Sequence, residues 1–138
     1  MTHILGKYTG DRPIYVGFTV TPKYYQTHKE KMYISGLALK YSEKPLDLLG
    51  FNKNLIENKF HLDYLSIQMT SDRNQKNVNN QNKNYLHCFK PVYNDYKKNN
   101  QMKKADKIKD LAIMISYNSG DKNLIDNVKQ KYGEKNWH

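Results

Sequence analysis

Residues 95–117, DYKKNNQMKKADKIKDLAIMISY, decide how the rest of the chain is read. Within them Met102, Ala105, Ile108, Ala112 and Ile115 recur at spacings of three and four with lysines between, the pattern of a helix with one apolar stripe. The last part, Leu111–Tyr117, also reads as a buried strand after a shorter helix, because a short apolar run has no periodicity of its own.

Upstream, the chain alternates instead. Thr9-Gly10-Asp11-Arg12-Pro13 is turn chemistry, and Ile14–Val20 then places Ile, Val, Phe and Val on one side and Tyr, Gly and Thr on the other, which predicts a strand. Met32–Tyr41 alternates again, with Tyr33, Ser35, Leu37, Leu39 and Tyr41 on one face, and predicts a second, antiparallel strand. Pro45 and Gly50 bracket a short helix, and Asn52 is placed to cap a second helical piece, Lys53–Asn58. Phe60–Met69 predicts a third strand and Tyr85–Tyr93 a fourth strand or extended arm. Downstream, Ser119-Gly120-Asp121 supplies an N-cap for a helix carrying Leu124, Ile125, Val128 and Tyr132, with Gly133 at its C-cap. The expected architecture is α+β, a small, mostly antiparallel sheet with the helices after residue 95 packed on one face, in a single domain over residues 1–138.

Charge is concentrated in the middle. Between Arg73 and Lys109 lie Arg73, Lys76, Lys83, Lys90, Lys97, Lys98, Lys103, Lys104, Lys107 and Lys109 against Asp95 and Asp106, so this stretch carries +8 of the formal net charge of +10. The overlapping segment 70–84 has Val78 as its one apolar side chain and is rich in Asn, Gln and Lys. Such a segment buries too little to offset its ordering entropy, and it is expected to be a polar loop, disordered without a partner. The chain has 21 lysines and only two arginines, Arg12 and Arg73. Lysine is a solvated point charge suited to backbone phosphates, whereas bidentate reading of bases favours arginine. An AT-rich coding sequence also produces this Lys, Asn, Tyr and Ile usage.

Other classes are narrowed by what is missing. Cys88 is the single cysteine, which excludes an intramolecular disulfide or a cysteine-based zinc cluster and points to a reducing, cytoplasmic setting. No apolar run is long enough to span a bilayer, and MTHILGKYTGDRP has no signal-peptide core. The glycines are scattered singly, so no glycine-rich phosphate loop is present, and no cofactor is implied.

Several small constellations bear chemistry. His61-x-Asp63 would converge on one side of a strand, but no third ligand follows at metal-site spacing even with His3, His28 and His87 counted. Ser119-Gly120-Asp121 after Leu111–Ser116 has the outline of a strand-to-helix turn able to seat a phosphate, if Leu111–Tyr117 is a strand. LDLLGFNKNLI, Leu46–Ile56, resembles a helix-hairpin-helix, whose turn offers backbone N–H groups to a nucleic-acid phosphate; where that motif carries a second glycine this chain has Asn52, which tolerates positive φ. Trp137 reads as a side chain docked on the sheet or a partner's anchor.

The leading expectation is a non-catalytic nucleic-acid-binding protein, or a component of a ribonucleoprotein, acting through a lysine- and tyrosine-rich surface. Its candidate residues are Arg73, Lys76, Lys83, Lys97, Lys98, Lys103, Lys104 and Lys107 for phosphates, with Tyr85, Tyr93 and Tyr96 as a stacking platform for RNA or DNA bases. Two other classes stay open. One is a mobile-element or phage-type inhibitor that binds an acidic protein or a nucleotide signal; the other is a metal-dependent phosphodiesterase or nuclease around His61, Asp63 and Asp121.

Overall fold

A computed structural model describes residues 12–66 and 71–133. Three short strands, β1 (Ile14–Gly17), β2 (Met32–Ser35) and β3 (Ala38–Tyr41), form an antiparallel sheet in the order β1-β3-β2. Five α-helices follow among the described residues: α1 (Leu49–Asn54), α2 (Asp72–Asn82), α3 (Tyr85–Lys98), α4 (Met102–Ser119) and α5 (Lys122–Lys131). The fold is α+β, with a small antiparallel sheet and helices packed against it. His3, residues 9–11 of the first turn, residues 67–69 of the expected third strand, Thr70 and Trp137 lie outside the described residues.

The stretch predicted as one second strand is a hairpin. Gly36 has φ +62° while Leu37 has an ordinary negative φ, which is the two-residue turn with its left-handed residue first, matched to the twist of paired strands. The turn reverses the face assignment. Val16, Leu39 and Ile34 are partners across the sheet and point inward together with Tyr41, while Tyr15, Lys40 and Tyr33 share the outer face. Tyr33 and Ser35 therefore do not share a face with Leu39 and Tyr41, as an unbroken strand would require. The first strand stops at Gly17, where the chain turns and the Val20 amide donates to the Gly17 carbonyl at 3.1 Å.

The helix near Pro45 starts later than expected. The Leu49 amide donates to the Asp47 carboxylate at 3.1 Å, Gly50 lies inside α1, and the helix runs on through a wider π turn, Leu55–Lys59, closed by the Phe60 amide on the Leu55 carbonyl at 2.7 Å. No hairpin separates two helices here, so the helix-hairpin-helix likeness ends with Asn52 buried in one continuous helical segment. Leu62–Ser66 is a 3₁₀ turn in place of the start of the expected third strand.

The two largest departures lie in the basic middle. Residues 72–82 form α2 and not a loop: Ser71 accepts the Asn74 amide at 3.2 Å as N-cap, Asp72 sits in the positive first turn, and Gln75 bonds Asn79 one turn on. The Asn79 side chain then donates to the Asn118 carbonyl at 2.9 Å, tying α2 to the C-terminal end of α4. Tyr85–Tyr93 is the start of α3 and not a strand. Tyr85, Cys88, Phe89, Val92, Tyr93 and Tyr96 fall at helical spacing and all but Tyr85 are buried. Pro91 lies inside this helix and cannot bond the His87 carbonyl, a defect of about 3 kcal/mol. Burying Phe89, Val92, Tyr93 and Tyr96 at about 1.5–3 kcal/mol each outweighs it.

Helix α3 is the central element. It packs on β2, α1 and α4, and α4 in turn packs on α2, α5 and the 3₁₀ turn. The expected stripe of α4 is realised from Ala105 onward, with Ala105, Ile108, Ala112 and Ile115 buried, while Met102 in the first turn is exposed and not part of the core; Leu111–Tyr117 is helix and not strand. Ala105 and Ala112 are fully buried within this packing. The final helix begins as expected: Gly120 is left-handed (φ +68°), and the Asp121 carboxylate accepts the Asn123 and Leu124 amides at 3.0 and 3.3 Å.

Candidate nucleic-acid interface

The turn from α3 to α4 is a Schellman motif. The Gln101 amide donates to the Tyr96 carbonyl at 2.8 Å and the Asn100 amide to the Lys97 carbonyl at 3.2 Å, with Asn100 at φ +57° in the position usually given to glycine. This tight reversal brings the C-terminal end of α3, carrying Lys97 and Lys98, against the N-terminal end of α4, carrying Lys103, Lys104 and, one turn on, Lys107. All five are exposed.

The electrostatics of the corner are lopsided. Lys97 and Lys98 sit at the negative end of α3, where cations are favoured. The N-terminal end of α4 has no acidic residue in its first turn and no side-chain cap from Gln101, so the N–H groups of that turn stand beside Lys103 and Lys104 without a capping side chain. Lys104 is engaged: it donates to Glu57 at 3.0 Å, and Glu57 also accepts from the Tyr96 hydroxyl at 2.6 Å. Those two bonds, Tyr96 first and Lys104 second, hold the Glu57 carboxyl below its usual range. Lys53 pairs with Asp95 at 2.8 Å on the inner side of the corner. Lys97, Lys98, Lys103 and Lys107 have no ion pair with any described residue.

The other sequence-predicted residues are distributed differently. Arg73 and Lys76 lie exposed on α2, whose anchor at Asn118 is about 22 Å along α4 from Lys103. Lys83 follows α2 and lines a separate cleft. The tyrosine platform is corrected by burial: Tyr93 is 5% and Tyr96 1% exposed, so neither ring can stack on a base, and Tyr85 is half-buried with its ring edge-on to Phe60 at 5.3 Å. Lysine ammoniums stand over two of these rings instead, Lys97 over Tyr93 at 5.5 Å and Lys104 over Tyr96 at 5.6 Å. The tyrosines support the lysines from beneath.

The candidates for a metal-dependent phosphodiesterase, His61, Asp63 and Asp121, are each engaged locally. His61 stacks on Tyr64 at 5.1 Å, and Asp63 belongs to a 3₁₀ turn where positions two apart do not share a face. Asp121 is occupied as an N-cap. Among the described residues no three His, Cys, Asp or Glu side chains come together. Cys88 is fully buried, its thiol pushed up to about 12 by burial and donating to the Tyr85 carbonyl.

Sequence reasoning missed a second basic feature. A cleft of about 740 Å³ is walled by the end of α2, the start of α3 and the second half of α5, and it collects Lys83, Lys90 and Lys131. Lys131 comes from more than forty residues away, in a segment read only for its apolar stripe. Among the described residues no helix is long and apolar enough to cross a membrane. Comparison with protein-family models, with curated proteins and with solved structures finds no match to this chain.

Proposed function

We propose that this protein binds nucleic acid, without catalysing a reaction on it, by seating backbone phosphates on the α3–α4 corner. The observation that carries the reading is the corner itself: Lys97, Lys98 and Lys103, without ion pairs to described residues, gathered by a Schellman turn around an uncapped helix N-terminus. Lysine-to-phosphate contact releases condensed counterions and needs no base reading. With Tyr93 and Tyr96 in the core, recognition rests on charge and shape, not on stacked bases. RNA and DNA both present the required phosphates, and Lys107 extends the same helix face. Arg73, Lys76 and Lys83 contribute to the positive field without belonging to the corner. The buried, protonated thiol of Cys88 suits a reducing, cytoplasmic setting.

The test is charge reversal at the corner. Lys97→Glu/Lys98→Glu/Lys103→Glu leaves the Lys31–Glu43, Lys53–Asp95 and Lys104–Glu57 pairs and the buried helical core in place, because Lys104 is spared. Nucleic-acid affinity is expected to fall at least a hundredfold in low salt with the helical circular dichroism retained and the thermal midpoint somewhat lower, since two carboxylates then face the negative end of α3; unaltered affinity contradicts the reading.

A further inference from the structure

The cleft between α2, α3 and α5 has the make-up of a binding site of its own, independent of the α3–α4 corner. Its volume, about 740 Å³, falls within the range of small-molecule sites. Three lysines reach it from three directions: Lys83 after α2, Lys90 from the middle of α3 and Lys131 from the last turn of α5. No carboxylate among the described residues lines it. The Lys90 ammonium is partly buried, donates to the Lys131 carbonyl, and stands 5.2 and 4.7 Å from the Tyr93 and Tyr132 ring centres, so it is held in place. Burial first, then the neighbouring Lys131 and Lys97 charges, lowers its proton affinity.

The rest of the lining says what else the anion carries. Leu86, Pro91, Leu124 and Val128 make an apolar wall. Around it stand Asn80, Asn84, Asn94 and Asn127, and none of these four side-chain amides is hydrogen-bonded to a described residue. An amide offers a donor and an acceptor together, the complement of a base edge or a pair of sugar hydroxyls. Inorganic phosphate would leave wall and amides unused, and an acyl chain would leave the amides unused.

We propose that this cleft binds a nucleoside monophosphate unit, its phosphate on Lys83, Lys90 and Lys131 and its base between the apolar wall and the asparagine amides. The unit can be a free mononucleotide or the 5′-phosphorylated end of an RNA or DNA strand.

The test is calorimetric titration of the whole protein with each 5′-nucleoside monophosphate, the matching nucleosides and inorganic phosphate, followed by short oligonucleotides with and without a 5′-phosphate. Expected is one-to-one binding of at least one monophosphate with a Kd below about 1 mM, at least tenfold tighter than phosphate, with the nucleoside undetected. Lys83→Glu/Lys131→Glu should weaken it tenfold or more, and Asn94→Ala, a milder change, should weaken it with the fold untouched. A corner variant confined to Lys98→Glu/Lys103→Glu, which spares the Lys97 charge felt by Lys90, should bind the monophosphate as the parent does, so the two readings fail separately. If only 5′-phosphorylated oligonucleotides respond, with the same sensitivity to the cleft variants, the ligand is a strand end. If neither form binds, if phosphate binds as tightly as every nucleotide, or if both cleft variants bind unchanged, the assignment is overturned.

Discussion

Asn52 and Gly36 are joined at 2.7 Å, the buried side-chain oxygen of the first accepting the backbone amide of the second. The same side chain donates to the Ile34 carbonyl at 3.0 Å. One carboxamide thus splices α1 onto the β2–β3 hairpin and satisfies two backbone groups that the tight turn would otherwise strand. Asn52→Ala leaves both unpaired and should cost about 2–4 kcal/mol, read as a lower urea midpoint at unchanged slope, with the Gly36 amide losing its protection from hydrogen exchange.

Gly36 is constrained from the other side as well. A Cβ there would lie 2.8 Å from the Leu55 Cδ1 atom, on a backbone at φ +62°. Gly36→Ala should destabilise by about 2 kcal/mol or more, of which the left-handed conformation accounts for about 1–2 kcal/mol. In a Leu55→Ala background the same change should cost less, because the contact is gone and only the backbone strain remains. A double-mutant cycle by denaturant melts measures the difference.

Glu57 gives the fold a pH dependence of known sign. Its folded carboxyl titrates below the ordinary 4.5 because Tyr96 and Lys104 bond the charged form. Its contribution is therefore fully present above 4.5 and is lost as pH falls from there through the lower folded value. Glu57→Gln should lower the thermal midpoint near neutral pH and flatten its decline below pH 4.5; a decline as steep as the parent's contradicts the assignment.

Pro91 interrupts α3 beside the cleft, and removing it is expected to help the helix. Pro91→Ala restores an N–H able to reach the His87 carbonyl and should raise stability by about 1–3 kcal/mol. Chemical denaturation measures it, and a loss of stability would show that the ring's packing outweighs the missing bond.

What could be read from the chain follows from how local each signal was. The α4 stripe and the Asp121 and Gly133 caps were legible, because a helix writes its period and its ends into adjacent residues. Met32–Tyr41 was half legible: alternation marked an extended chain, but two turn residues preserve the alternation while reversing the direction, so Gly36 passed unnoticed. Residues 72–82 mislead because none of their side chains is buried, while order here comes from hydrogen bonds. Their helix is held by the Ser71 cap, by amide pairs one turn apart and by Asn79 on Asn118, a contact 39 residues distant in sequence. Tyr85–Tyr93 misleads because its aromatic content suits a strand and Pro91 argues against a helix interior, and tertiary packing overrides both. The lysine corner was visible as composition. The cleft was not, since Lys83 and Lys131 meet only through the packing of α5 beside α3.

The most direct test of the central claim is fluorescence anisotropy of the purified protein with labelled RNA and DNA, single- and double-stranded, across about 50–200 mM salt. Three to five phosphate contacts at the corner predict saturable binding to duplex DNA that weakens by roughly a hundredfold over that range, with little dependence on base sequence. Absence of binding even at the lowest salt, or binding indifferent to salt, would contradict a phosphate-seating corner.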